Sequence, residues 1–338
     1  MLSEEKSVGS DIVVIRNAVK HFPARTSLFG TVRSHVHAVD DVSCSIKKGE
    51  TLGLVGESGC GKTTLGRLVL RLLPITSGQV LFEGKDIFHF DKQEEKKFRS
   101  DAQIIFQDSF SSFDSRNTIE QIIGEPLIVH GIASGEKLKN RVAELLETVG
   151  LKPDIMKLYP HTLSSGQKQS IGIARSISLD PKFIVADEPI SSLDVSVRSQ
   201  VLNLLKTLQS KKNLTYLFIS HDLNVVRWLS NRIAVMYVGK MVEYADAEEL
   251  FARRYHPYSQ ALLEAVPITN PRDRRPRRIL LGEVPSPVDP LPGCRFAPRC
   301  EYVMDQCRNY DPPLLERSPG HWVACFKTDF LGDVTAGG

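Results

Sequence analysis

The sequence predicts an α/β fold built on a mainly parallel sheet, and three observations point to it. Short apolar runs alternate with helix-period segments through roughly the first 250 residues. Those runs are continuously apolar rather than alternating, the pattern of strands covered on both faces. A glycine-rich turn at Gly56–Gly61 follows one such run, and Leu65, Leu68 and Leu72 then recur at helical spacing, giving a strand–loop–helix unit.

In chain order the expected strands are IVVI (Ile12 to Ile15), TLGLV (Thr51 to Val55), QIIF (Gln103 to Phe106), FIVA (Phe183 to Ala186), TYLFIS (Thr215 to Ser220) and IAVMY (Ile233 to Tyr237). From about Val266 the texture changes. VPITNPRDRRPRRILLGEVPSPVDPLPG is rich in Pro and Arg, has no period, and reads as a linker or wrapped extension. Arg272, Arg274, Arg275, Arg277 and Arg278 read first as a solvated charge run and second as a surface for phospholipid headgroups. There is no internal repeat.

Composition narrows the function classes. The 338 residues suggest two units. With 43 Lys+Arg against 40 Asp+Glu, net charge is only +3, which argues against a nucleic-acid binder. No run reaches the ~18 apolar residues of a membrane span. The polar opening MLSEEKSVGSDIVV does not read as a signal peptide, so a cytosolic chain, held at a membrane only by partners, is expected. In that compartment clustered cysteines suggest metal or catalysis more than disulfides.

The segment GESGCGKTT (Gly56 to Thr64) matches G-x-x-x-x-G-K-[ST] between a strand and a helix. Gly56, Gly59 and Gly61 let backbone N–H groups around Ser58 turn inward on phosphate oxygens, and the following helix N-terminus favours the same charge. Lys62 supplies a point charge for the β- and γ-phosphates, and Thr63, followed by Thr64, offers a hydroxyl to Mg²⁺. Cys60 merely occupies a free position. In KFIVADEP an apolar strand ends in two carboxylates. Asp187 suits Mg²⁺ through water, and Glu188 suits activation of an attacking water. LSSGQKQSIGIARSI (Leu163 to Ile177), taken alone, is a capped helix start with Ile173 and Ile177 on one face.

Taken together, these segments resemble the ATP-binding-cassette (ABC) ATPases. The order agrees over about residues 10–265: GESGCGKT, Gln107 in IIFQD, LSSGQ, FIVADE, SSLD (Ser191 to Asp194) and ISHD with His221. The resemblance implies a P-loop NTPase domain of the ABC type over residues 1–265, with an antiparallel β subdomain and a helical subdomain at about 108–180. It implies two such domains head to tail, each ATP lying between one chain's phosphate loop and the other's signature, here Ser164, Ser165, Gly166 and Gln167. Gln107 then contacts Mg²⁺ and the lytic water, His221 the γ-phosphate, and Asp194 acts across the dimer. Phe22 in VKHFP falls where the family stacks an aromatic on adenine, although a lone aromatic also fits an ordinary core position. Ser165 departs from the family's glycine and either crowds the partner's γ-phosphate or offers it a hydroxyl.

GKMVEYADAEELFARRYHPYSQALLEAVP, LVGESGCGKTTLGR and the late GCRFAPRC resemble the oligopeptide/dipeptide branch of these ATPases, with residues 266–338 as its C-terminal Cys-rich extension. By spacing alone, Cys294, Cys300, Cys307 and Cys325 fit a [4Fe–4S] cluster, zinc, or unligated thiols. The gaps are unlike short zinc knuckles, and the resemblance implies the cluster. It also implies a second ABC ATPase subunit (a paralogue), two transmembrane permease subunits, an extracytoplasmic solute-binding protein, and a peripheral place on the cytoplasmic face of the inner membrane. The solute is a peptide on this reading, with nickel or another small solute as the alternative. A ribosome- or DNA-directed ABC ATPase fits less well, lacking a second cassette or coiled-coil insertion, and a small-molecule kinase is opposed by LSSGQ and His221.

Overall fold

A computed structural model describes residues 11–26, 32–108, 112–264 and 282–327. The five arginines at 272–278 lie outside these residues. The chain divides into two compact units, each taken separately below.

One unit holds Ile46–Glu50 and His89–Ile219. Its strands β6 (Ala102–Ile105), β7 (Phe183–Asp187) and β8 (Thr215–Ile219) are parallel neighbours in that order. Phe183, Ile184, Val185, Ala186, Tyr216 and Phe218 are all buried, as the unbroken apolar runs predict. Helix α2 (Lys92–Asp101) begins with a capping box in which Asp91 accepts from the N–H groups of Gln93 and Glu94. Helices α3 (Ile119–Val129), α4 (Gly135–Thr148) and α5 (Ser165–Ile177) pack together through Ile122, Ile123, Leu138, Val142, Leu145 and Ile171. Helix α6 (Val195–Lys212) ends on Asn213 in a left-handed conformation.

The other unit holds Val13–Ser45, Thr51–Phe88 and Ser220–Gly338. Strand β3 (Thr51–Val55) runs parallel to β9 (Arg232–Tyr237). From β9 the pairing continues antiparallel through β10 (Lys240–Asp246) and β12 (His321–Val323) to β11 (Leu315–Ser318). A second, four-stranded sheet orders β2 (Val32–Lys47), β1 (Asp11–Thr26), β4 (Ser77–Phe82) and β5 (Lys85–Asp86). Helices α1 (Lys62–Val69), α7 (Leu223–Leu229), α8 (Ala247–Ala252), α9 (Pro257–Glu264) and α10 (Asp305–Asn309) complete this unit.

Two expectations are corrected. Ile12–Ile15 lies in the antiparallel sheet, where Val13 faces Phe82 and Ile15 faces Val80, and is not a strand of the parallel sheet. Helix α1 stops at Val69 with Leu70 as its cap, and Arg71 turns to φ 51°, so Leu72 lies beyond the helix and is 46% exposed. Leu65 and Leu68 do form the buried face.

Candidate functional site

The phosphate loop leaves the buried strand β3 and enters α1. Its tightness comes from glycine. Gly56 at φ 150° and Gly61 at φ 106° occupy backbone that side chains rarely adopt. A Cβ on Gly56 would meet the Met236 carbonyl oxygen at 2.2 Å, and one on Gly61 the Ala38 carbonyl oxygen at 2.0 Å. Lys62 is buried, and its Nζ donates to the carbonyls of Gly56 (2.8 Å) and Glu57 (2.9 Å). Ser58 and Gly59 form the exposed crest, while Thr63 and Thr64 are half-buried in the first turn of α1. Burial pushes the Cys60 thiol up, opposed by Lys62.

In the same unit, Phe22 is half-buried, with the Lys20 ammonium 4.8 Å from its ring centroid. His221 is exposed immediately before α7, whose cap Asp222 accepts from the N–H groups of Asn224 and Val225.

The acidic pair belongs to the other unit. Asp187 is the last, buried residue of β7. Glu188 adopts φ 46°, a left-handed backbone that costs a non-glycine residue about 1–3 kcal/mol, and such outliers cluster at working sites. The turn is held by the Glu188 N–H on the Ile219 carbonyl (3.0 Å) and by the Ser191 hydroxyl on the Glu188 carbonyl (3.1 Å). Gln107 is exposed two residues past β6. Ser164 caps α5 through a capping box with Gln167, and Ser165 is exposed at the first helical position. A Cβ on Gly166 would come within 2.7 Å of Val197 Cγ1, so that glycine answers a packing demand. Asp194 is the exposed N-cap of α6.

Cys294, Cys300, Cys307 and Cys325 are free and line one small pocket with His256, Phe296, Tyr302 and Phe326. Burial, reinforced by the neighbouring thiols, pushes Cys294 up to about 12. Burial likewise pushes Cys325 up to about 11 and raises Cys300. Beneath the pocket lies a buried knot that residue patterns did not reveal. The Glu243 carboxylate accepts from His321 Nε2 (2.8 Å) and from the N–H groups of Tyr255 (2.8 Å) and His256 (3.2 Å). It thereby ties β10 to β12 and to the HPY segment.

A second set of donors, on His21, His37 and Asp40, lies within 4.8 Å. Arg295 pairs with the Asp40 carboxylate, and Lys240 Nζ approaches it at 3.9 Å. These cations already neutralise the one carboxylate, so the cluster reads as a charge knot rather than a cation site.

A glycine-lined phosphate loop between a buried strand and a helix, with an acidic pair ending a parallel strand, defines a P-loop nucleoside triphosphatase. The ABC transporter family model matches residues 39–191, and the model for the oligopeptide/dipeptide transporter C-terminal region matches residues 242–307. The chain belongs to the ABC transporter ATPase family. It is 49% identical over 317 residues to the oligopeptide transport ATP-binding protein AppF of Bacillus subtilis, covering 93% of this chain and 96% of that one. It is 45% identical over 316 residues to a putative peptide import ATP-binding protein of Brucella ovis, covering 94% and 98%. Among solved structures, it resembles the dimeric ATP-binding cassette MJ0796 in a post-hydrolysis state with ADP and phosphate. That match has TM-score 0.62 and 28% identity, covering 70% of this chain and 98% of that one.

Proposed function

We propose that the chain is the ATP-hydrolysing subunit of a peptide importer. In this reading residues 1–265 form the nucleotide-binding domain and residues 266–338 an extension specific to the peptide branch. The observation that carries the reading is the joint presence of the phosphate loop and the C-terminal peptide-transporter region in one chain.

The roles follow from the donor chemistry. Lys62 and the loop N–H groups bind the β- and γ-phosphates, and Phe22 stacks on adenine. Thr63 and Asp187 are the oxygen donors for Mg²⁺, which prefers such ligands. Mg²⁺ supplies charge neutralisation at the phosphates. Glu188 takes the proton of the attacking water, Gln107 orients that water, and His221 holds the γ-phosphate. Ser164, Ser165, Gly166, Gln167 and Asp194 act on the partner's nucleotide. ATP closes the pair and hydrolysis reopens it.

The partners in this reading are a paralogous ATPase, two permease subunits and an extracytoplasmic binding protein, with the chain peripheral on the cytoplasmic face of the membrane. Among the described residues, no helix is long and apolar enough to cross a membrane.

In this reading the four thiols, which line one pocket, hold a [4Fe–4S] cluster rather than a single zinc ion, their sequence gaps being unlike short zinc knuckles. Cys294, Cys300, Cys307 and Cys325 are the ligands on this reading, and the cluster supplies cross-linking to a tail with little core.

The test is co-purification and uptake. The chain expressed with its permeases is expected in the membrane fraction, with peptide uptake lost in Lys62→Ala. Uptake that persists in that variant ends the transport reading. Iron and labile sulfide in the anaerobically purified protein test the cluster separately.

A further inference from the structure

Arg299 immediately precedes Cys300, at the end of the turn Ala297–Arg299. That turn is bracketed by thiols: the Ala297 N–H donates to the Cys294 carbonyl and the Cys300 N–H to the Ala297 carbonyl. The Arg299 side chain is only 6% exposed. Its Nη1 donates to Glu57 Oε2 (2.8 Å) and to Tyr237 Oη (3.4 Å), while its Nε is buried without a partner among the described residues. Burial works against the guanidinium charge, but Glu57 and Tyr237 outweigh it and raise its pKa.

Glu57 is the second residue of the phosphate loop, and both of its backbone groups are engaged. Its N–H donates to Tyr258 Oη (2.8 Å), and its carbonyl accepts from Lys62 Nζ (2.9 Å). Tyr237 and Tyr258 pack on Phe296, with ring centroids at 5.2 and 5.5 Å, and Phe296 itself lines the thiol pocket. One residue of the loop therefore touches the phosphate-binding lysine on one side and the thiol-bearing segment on the other.

We propose that Arg299 is a positioning residue for the phosphate loop, and that whatever group the four thiols bind sets nucleotide affinity through it. The second half rests on the cofactor reading of the pocket. The physical reason is linkage. A group bound by Cys294 and Cys300 orders the turn that carries Arg299, the guanidinium holds Glu57, and a held Glu57 keeps the loop carbonyls and Lys62 in register. Coupling of this kind is reciprocal between the two sites. Arg299 is the buried partner and Glu57 half-buried, so removing Glu57 leaves the buried guanidinium charge uncompensated, and the contact is not a passive surface bridge.

The experiment measures equilibrium binding of a fluorescent ATP analogue with Mg²⁺ to the anaerobically purified full chain, with iron, zinc and melting temperature recorded for each variant. Arg299→Gln and Glu57→Gln are each expected to weaken binding about tenfold, with the double variant no weaker than either, and Arg299→Lys to recover part of the loss. Stripping bound metal from the unsubstituted chain is expected to cost a similar factor, and to cost Arg299→Gln nothing further. Faster hydrogen exchange over residues 56–62 should accompany each loss. Additive losses in the double variant, or affinity indifferent to stripping, overturn the proposal. A chain that never holds metal fails the cofactor reading and the second half with it, and the Glu57–Arg299 cycle then decides the positioning role alone.

Discussion

Asp187 and Glu188 are adjacent carboxylates in opposite settings: Asp187 completes a buried strand, and Glu188 leaves it at once on left-handed backbone with φ 46°. On the proposed reading these two settings divide the work, Asp187 serving cation binding and Glu188 proton transfer. Changing Glu188 to Gln keeps the shape and removes the base. Phosphate release by the assembled transporter is expected to fall at least about 100-fold while ATP binding persists. Turnover within a few-fold of the unsubstituted protein would remove Glu188 from the chemistry.

The loop glycines make a steric prediction. Gly61→Ala puts a Cβ 2.0 Å from the Ala38 carbonyl oxygen on backbone at φ 106°. The expected result is a loss of about 2 kcal/mol or more in urea unfolding, together with loss of ATP-analogue binding. Gly59, whose Cβ would meet nothing within 4 Å, is expected to tolerate alanine better despite its φ of 79°.

Ser165 is exposed beside the capping Ser164, so the local fold does not require it. Ser165→Gly is expected to change stability by less than about 1 kcal/mol. Hydrolysis at the partner's nucleotide should nevertheless change. Single-turnover measurements on each site of the assembled pair check this, and an unchanged partner site removes Ser165 from that chemistry.

The charge knot predicts a pH dependence. Burial and the neighbouring His37 lower the His21 pKa from 6.5, with Asp40 opposing and His35 adding to the effect, and Arg295 and Lys240 crowd the same carboxylate. A depressed histidine binds fewer protons folded than unfolded, so its contribution is complete above pH 6.5 and is lost as pH falls below it. Melting temperature should therefore drop between pH 7.5 and about 5.5, and His21→Gln should flatten that slope. An equal slope in both proteins contradicts it.

Strands with unbroken apolar runs were legible because a strand buried on both faces announces itself in composition. Thr51–Val55 was read to the residue, and the runs at Phe183, Thr215 and Ile233 to within one. The antiparallel strands were not. Val32–Lys47 mixes His, Asp, Ser and Lys with its apolar residues, since only one face is covered. Lys240–Asp246 carries Glu243, which looks like a surface acid until His321, from far along the chain, arrives to meet it. The Val238–Gly239 turn between β9 and β10, with Gly239 at φ 80°, is the one local hairpin signal these two strands carry.

What the sequence determined by itself is local: a glycine pattern that dictates loop backbone, an apolar strand that delivers two carboxylates, and a cap that starts the signature helix. Each depends on residues within one or two turns of one another, so spacing carries the information. Only the tertiary structure decided that Arg299 reaches Glu57, 242 positions away, and that thiols from Cys294 to Cys325 share a pocket. Such pairings rest on burial and on charges that must find partners once water is excluded, and no periodicity in the chain encodes which partner that will be.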